Sequence, residues 1–132
     1  MLLKDKVALI TGGAKGMGEA TSLKFAEQGA KVIIADLNID AAKETAEKIN
    51  EQKGTARAYA QVDVTDKDSI KNTVDKTMEE FGKIDVLINF AGGTFGSEGT
   101  TENINMDDWD KTIDLNLNGT IYPILEVLPH MK

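Results

Sequence analysis

The feature that most constrains the fold of this chain is a set of short runs that are apolar at every position. The clearest runs cover residues 7–10, 32–35 and 86–88, and a weaker one covers residues 56–62. Runs of this kind are typical of strands buried on both faces of a parallel sheet, whereas a half-exposed strand would alternate apolar and polar residues. The sequence therefore predicts four buried strands.

Longer amphipathic segments separate these runs. Apolar residues at helical spacing predict helices over residues 17–28, 40–52 and 66–81, and a last helix from about residue 106 onward. Asp66 is the expected N-cap of the third helix, and glycines follow the first three segments, where they favour helix ends. In the last helix Trp109 lies on an apolar stripe that recurs at every fourth residue, and we expect it to pack in the core.

Strands that alternate with helices of this length pair in parallel through right-handed crossovers, with helices on both faces of the sheet. The prediction is an α/β fold of three layers with strand order 3-2-1-4, which is the first half of a doubly wound nucleotide-binding fold. No repeat or linker divides the sequence, so we expect residues 1–132 to form a single domain.

A glycine-rich turn joins the first strand to the first helix, where residues 11–18 read Thr-Gly-Gly-Ala-Lys-Gly-Met-Gly. Gly12 would let the chain turn sharply off the strand, Gly16 would leave space for a pyrophosphate, and Gly18 would let the helix approach the sheet. The N-terminus of that helix would offer unpaired N–H groups to the phosphates. A flexible loop is the alternative interpretation of the glycines alone, but their position between strand and helix favours a dinucleotide site.

Asp36 stands at the end of the second strand, about 20 residues beyond the glycine turn, as a dinucleotide site requires. A carboxylate here accepts hydrogen bonds from the adenosine ribose hydroxyls and repels the 2′-phosphate of NADP. Lys15, in the turn, could instead pair with that phosphate. We predict NAD over NADP, because Asp36 would contact the ribose directly and Lys15 need not.

The glycine turn resembles the TGxxxGxG motif of the short-chain dehydrogenase/reductase family, and three later segments resemble further motifs of that family. Residues 63–64, Asp-Val, resemble the pair that holds the adenine ring in that family. Residues 89–92, Asn-Phe-Ala-Gly, are similar to its NNAG motif, and residues 114–119 resemble the helix segment that carries its catalytic asparagine. The four motifs occur in the family's order and cover nearly the whole chain.

The resemblance implies a Rossmann fold and hydride transfer between a nicotinamide cofactor and an alcohol or ketone substrate. It implies that Asn116 is catalytic, since the family's asparagine bends its helix and holds a water in a proton relay. The cofactor-binding residues that we predict are Gly12, Lys15, Gly16, Met17, Gly18, Asp36, Leu37, Asp63, Val64, Asn89, Ala91 and Gly92. A 3-oxoacyl-thioester reductase is one activity that the resemblance suggests. Family members form dimers or tetramers, so we expect a homodimer or homotetramer of the full-length protein.

The sequence departs from the family pattern in two respects. Phe90 replaces the second asparagine of NNAG, with an expected modest structural cost. The family's catalytic serine and Tyr-x-x-x-Lys pair would follow the asparagine segment, and neither Tyr59 nor Tyr122 has a lysine four residues later. We therefore expect a fragment of a longer product, truncated before the remaining strands and inactive by itself. A complete but non-catalytic dinucleotide-binding module is the alternative.

Other function classes fit less well. A methyltransferase-like Rossmann domain also pairs a glycine turn with an acid after the second strand, but the three-residue gap between Gly12 and Gly16 speaks against it. A P-loop is excluded because no Gly-Lys-Ser/Thr follows the turn. The formal net charge of −7 disfavours nucleic acid or an anionic membrane as partner. Cysteine is absent and histidine occurs once, so we predict no metal site and a cytoplasmic location.

Overall fold

In a computed structural model that describes residues 1–96 and 100–132, four parallel strands form one sheet. The strands are β1 (Val7–Thr11), β2 (Lys31–Ala35), β3 (Thr55–Arg57) and β4 (Val86–Asn89). Their order across the sheet is β3-β2-β1-β4, which confirms the predicted topology. In this register Leu9 of β1 lies between Ile33 of β2 and Leu87 of β4.

The third strand is shorter than the sequence predicts. The apolar pattern extends over residues 56–62, but only Thr55–Arg57 pairs with β2. Beyond this strand the chain bonds to the segment that follows β2. The Val62 N–H donates to the carbonyl of Asp36 over 3.0 Å, and the Gln61 amide donates to the carbonyl of Leu37 over 2.9 Å. In the loop that follows β3, Val62 is buried, whereas Ala58, Tyr59 and Ala60 are only half-buried.

The helices in the described residues are α1 (Gly16–Glu27), α2 (Ile39–Glu51), α3 (Lys67–Phe81), α4 (Met106–Ile113) and α5 (Gly119–Met131). Asp66 caps α3 as predicted, since its carboxylate accepts hydrogen bonds from the N–H groups of Asp68 and Ser69. The last predicted helix is divided, because a π-helical turn, Asp114–Asn118, joins α4 to α5.

Each face of the sheet carries its own apolar cluster, because alternate residues of a strand point to opposite faces. On the face covered by α1 and α2 the buried residues are Ile10, Ala14, Ala30, Val32, Ile34, Ala42, Ala46, Ile49 and Ala56. On the face covered by α3 and α5 they are Val7, Leu9, Ile33, Ala35, Val62, Val64, Ile70, Val74, Ile84 and Val127. The arrangement confirms the predicted three-layer Rossmann fold.

The apolar stripe of the last helical segment does not face the core. Trp109 is 48% exposed, so the prediction that it packs in the core is wrong. The stripe that α5 turns inward consists of Gly119, Pro123 and Val127, again at steps of four. A Cβ on Gly119 would lie 2.6 Å from Cγ2 of Val64, so the helix approaches the loop after β3 more closely than a larger residue would allow. The stripe of α5 that is buried is therefore the one whose small residues allow close approach.

Candidate functional site

A cavity of about 280 Å³ lies at the carboxyl edge of the sheet, where the ends of β1, β2 and β4 meet the loop after β3. Its lining residues are Gly12, Ala35, Asp36, Leu37, Val62, Asp63, Val64, Phe90, Ala91, Gly92 and Leu115. The carboxyl edge is where open parallel sheets bind ligands. The cavity brings together seven of the residues predicted to bind a cofactor, namely Gly12, Asp36, Leu37, Asp63, Val64, Ala91 and Gly92.

The glycine turn borders this cavity, and three of its glycines have distinct surroundings. Gly12 has φ +65°, and a Cβ there would lie 2.7 Å from the backbone nitrogen of Ala91. A Cβ on Gly18 would overlap the carbonyl oxygen of Gly12, so α1 packs directly on the turn. At Gly16, apart from the adjacent residues and the backbone of the same helix, no described atom lies within 4 Å of the position that a Cβ would take. The corner is therefore tightly packed on its inner side and open on its outer side.

Buried side chains hold the carbonyl groups of this turn. The single hydroxyl hydrogen of Ser22 is shared between the carbonyl of Gly18, 2.8 Å from Oγ, and that of Gly13, 3.1 Å from Oγ. Thr45 Oγ1, on α2, donates to the carbonyl of Ala14 over 3.2 Å. With its carbonyls held inward, the turn can direct N–H groups outward. Sequence reasoning missed both side chains, although Thr45 was recognisable as a polar residue beside the apolar stripe of α2.

The Asp36 carboxylate is fixed by two backbone donors. Its Oδ2 accepts a hydrogen bond from the N–H of Ala14 over 3.1 Å, and its Oδ1 accepts one from the N–H of Asn38 over 2.9 Å. A carboxylate oxygen can accept more than one hydrogen bond, so each oxygen can still accept from a ligand. The bond to Ala14 ties the end of β2 to the glycine turn and sets the carboxylate at the cavity wall.

The far wall of the cavity comes from the loop after β3. Asp63 Oδ1 accepts hydrogen bonds from Thr65, over 2.9 Å from its N–H and 2.7 Å from its hydroxyl. Ser69 Oγ in turn accepts from the N–H of Asp63 over 3.0 Å. Leu37 is 61% exposed beside the cavity, which makes it an apolar surface on which a flat ring can lie.

Comparison with known proteins identifies the family that shares this geometry. The family model described as short chain dehydrogenase matches residues 6–132. The chain belongs to the short chain dehydrogenase family. The 3-oxoacyl-(acyl-carrier-protein) reductase FabG of Thermotoga maritima is 40% identical over 134 residues, which cover 99% of this chain and 52% of that protein. The trans-4-hydroxycyclohexanecarboxylate dehydrogenase of Sinomonas cyclohexanicum is 38% identical over 133 residues, which cover 97% and 51%.

A solved structure has the same fold. The crystal structure of an NAD⁺-bound xylitol dehydrogenase superposes with a TM-score of 0.93 at 30% sequence identity, covering 99% of this chain and 50% of that one. This chain spans about half the length of the curated relatives that it matches.

The residue predicted to be catalytic in this family lies in the π-helical turn. The Nδ2 atom of Asn116 donates to the carbonyls of Gly93, over 2.6 Å, and Thr112, over 2.8 Å. Its Oδ1 accepts from the N–H of Gly93 over 3.1 Å. The amide therefore fastens the segment after β4 to the helices, next to Gly92 of the cavity. π-Helical turns occur frequently at functional sites, in agreement with this position.

Five predicted cofactor-binding residues lie apart from the cavity lining. Lys15, Gly16 and Met17 are exposed at the start of α1, on the open side of the glycine turn. Asn89 lines a separate groove of about 230 Å³ between β4 and α5. Among the described residues its Oδ1 is buried without a hydrogen-bond partner. As a cofactor-binding residue Asn89 stays a prediction. Gly18 is the remaining predicted residue. It has no side chain, and its backbone is buried beneath the turn.

Tyr59, one of two tyrosines in the sequence, does not have the properties of a general base. Burial, and then the hydrogen bond that its hydroxyl donates to Glu80, raises the pKa of Tyr59 above the ordinary value. A tyrosine that takes up a proton near neutral pH needs the opposite shift. Tyr59 also lies outside the cavity lining.

A cluster of metal-binding side chains and a membrane-spanning helix are both absent from residues 1–96 and 100–132. No group of three or more His, Asp or Glu residues in these ranges could hold a metal ion. No helix within the same ranges has the length and apolar character needed to cross a membrane.

Proposed function

We propose that this chain binds NAD(H) and supplies the cofactor-binding part of an oxidoreductase that transfers hydride between nicotinamide and an alcohol or carbonyl substrate. Membership of the short chain dehydrogenase family supports the reaction class. The NAD⁺-bound state of the xylitol dehydrogenase with the same fold supports a nicotinamide cofactor. The finer choice of NAD over NADP rests on Asp36.

The observation that carries this proposal is the pairing of an open glycine corner with a fixed carboxylate. The space beside Gly16 suits a diphosphate, which the N–H groups at the start of α1 would bind. Asp36 lies at the cavity wall with both oxygens oriented by backbone donors, so it would accept from the ribose hydroxyls without reorganising. An added 2′-phosphate would place negative charge against this carboxylate.

The remaining cavity residues fit the other parts of a dinucleotide. Asp63 and Val64 would hold the adenine ring, and Leu37 would cover its exposed side. Gly92 and Ala91 would border the nicotinamide half, next to the segment held by Asn116. Bound NAD would supply the hydride acceptor. Asn116 is proposed as a catalytic residue through its place in the family motif, and its relay role requires a serine, tyrosine and lysine that this sequence does not provide in the family's pattern.

Substrate and assembly are proposed at the level of chemical class. The relatives act, by their names, on a 3-oxoacyl group, on xylitol and on a hydroxycyclohexanecarboxylate, and all three carry an alcohol or ketone. A homodimer or homotetramer of the full-length protein would cover the exposed apolar stripe of α4 and α5. A single domain and a cytoplasmic location stay predictions.

Titration calorimetry with NADH and NADPH tests the cofactor proposal. We expect NADH to bind at least about tenfold more tightly, since one charge-assisted hydrogen bond is worth roughly that factor. Asp36→Ala should weaken NADH binding about tenfold and remove the preference over NADPH. Asp40→Asn is the matched control, because it removes an exposed carboxylate nearby that does not line the cavity. Tighter binding of NADPH, or of S-adenosylmethionine, would refute the proposal.

A further inference from the structure

Met17 has 75% of its side chain exposed, more than any other large apolar residue in the described helices. It lies in the first turn of α1, between the open position at Gly16 and the buried Gly18. A large apolar side chain in this position contributes little to packing. Its exposure does, however, open the side chain to small reagents from solvent.

The N–H groups around Met17 are those that a bound anion would use. In the described part of the chain no side chain caps α1, whose N-cap is Lys15. The N–H of Glu19 donates to the carbonyl of Lys15 over 3.2 Å, while the earlier N–H groups of this helix lie ahead of the first such bond. Side chains on a helix lean toward its N-terminus, so the Met17 side chain leans toward the end of α1 that carries these donors.

We propose that Met17 is an oxidation site through which a peroxide lowers the affinity of this corner for a dinucleotide, an inference that rests on the proposed function. Hydrogen peroxide transfers one oxygen atom to the Met17 sulfur. The peroxide O–O bond breaks, an S–O bond forms, and water leaves. The sulfur loses two electrons and the peroxide gains them. Enzymes that reduce methionine sulfoxide reverse the change.

The consequence follows from the polarity of the sulfoxide. A thioether is a weak acceptor, whereas a sulfoxide oxygen is a strong one. Placed over the open N–H groups of α1, it would bind them in competition with the diphosphate. Loss of one hydrogen bond to a charged group corresponds to about a tenfold rise in Kd. The bound dinucleotide would in turn shield the thioether, so binding and oxidation should oppose each other.

The test combines peptide mass spectrometry with NADH titration, before and after treatment with hydrogen peroxide. Met17 should be oxidised as fast as Met106, which is 63% exposed, and faster than Met78, which packs against the core. Saturating NADH should slow oxidation at Met17 and leave Met106 unaffected. The Kd for NADH should rise about tenfold on oxidation and return after treatment with methionine sulfoxide reductase.

Two variants separate Met17 from the other methionines. Met17→Leu keeps an apolar side chain without sulfur, and the ratio of its Kd values with and without peroxide should stay near one, whatever its starting affinity. Met106→Leu should retain the full peroxide effect. An unchanged Kd once Met17 is oxidised, or an equal rise in Met17→Leu, overturns the inference while the proposed function stands. If untreated protein does not bind NADH, the proposed function itself fails, whereas oxidation of Met17 remains measurable.

Discussion

Two strand-to-helix corners meet at the carboxyl edge of the sheet, and they are held in different ways. The β1–α1 corner takes four residues, Gly12 to Lys15, whereas the β4–α4 corner extends over residues 90–105. The first is fixed by backbone packing and by the buried hydroxyls of Ser22 and Thr45. The second depends on exposed or half-exposed side chains of the helical segment that begins at Met106.

The two corners differ in whether water can compete with their hydrogen bonds. Water cannot reach the buried hydroxyl bonds of the β1–α1 corner, so breaking one leaves an unsatisfied polar group. Water can replace the bonds of Asn116 to the exposed Gly93. We therefore expect the corner that would bind the diphosphate to be rigid. The β4–α4 corner, beside the proposed nicotinamide position, should be easier to deform. The same kind of substitution should therefore destabilise the two corners to different extents.

Alanine at Gly18 and at Gly92 is the strongest test of this comparison. A Cβ at Gly18 would overlap the Gly12 carbonyl and lie 2.9 Å from Cα of Gly13, and both contacts are with backbone. A Cβ at Gly92 would lie 2.7 Å from Oδ1 of Asn116, the end of a side chain that can move. Alanine would favour a helix by about 1 kcal/mol over glycine, but the backbone overlap is larger. We expect Gly18→Ala to lower the free energy of unfolding by about 3 kcal/mol, against about 1 kcal/mol for Gly92→Ala.

Urea unfolding measures both values, and NADH titration gives a second readout. Gly18→Ala should abolish binding at concentrations where the wild-type protein is saturated, because α1 must move away from the turn. Gly92→Ala should still bind. Equal losses of stability in the two variants would contradict the difference between the corners.

Removal of the Asn116 side chain tests the β4–α4 corner directly. Asn116→Ala loses the bonds to both polar groups of Gly93 and one to Thr112. Because these bonds are exposed, we expect a loss of about 1.5 kcal/mol in the free energy of unfolding. Amide hydrogen exchange should become faster at Gly93 and stay unchanged at Gly12.

Asn118→Ala is the matched control, since the Nδ2 of Asn118 donates to Asp114 within the same helical turn. It should leave exchange at Gly93 as it is. Faster exchange in both variants would mean that the π-helical turn, and not the contact to Gly93, orders the segment.

The β1–α1 corner is also the one that sequence reasoning described best. Strands buried on both faces are apolar at every position, so β1, β2 and their parallel order follow from local pattern. The glycine turn and Asp36 follow too, because a dinucleotide site places them at set distances along the chain. Side-chain bonds across the fold depend on tertiary structure. Thr45 stands beside the apolar stripe of α2 in the sequence, but no local pattern identifies the carbonyl of Ala14 as its partner.

The β4–α4 side was described less well, for a physical reason. The apolar pattern predicts that Trp109 is buried, but Trp109 is exposed and the helical segment turns Gly119 and Pro123 toward the sheet. Periodicity reports how apolar a stripe is and gives no measure of how close two elements must approach. The π-helical turn adds to the error, because it changes the rotation of α5 relative to α4 and so which stripe faces inward.

The smallest predicted effect comes from replacing one hydroxyl by a methyl group in each corner. Thr45→Val leaves the carbonyl of Ala14 without its donor where Thr45 is 1% exposed, so we expect a loss of about 1 kcal/mol in the free energy of unfolding. Thr112→Val removes the acceptor for the N–H of the exposed Phe95, 3.1 Å away, and water can take its place. The expected loss there is about 0.5 kcal/mol or less.

Thr45→Val should also weaken NADH binding, since the turn that it holds would bind the diphosphate, and Thr112→Val should not. If Thr112→Val proved more destabilising than Thr45→Val, burial would not be the property that separates the two corners. The hydrogen bond from the Thr112 hydroxyl to the carbonyl of Asp108, within α4, would then have to explain the difference.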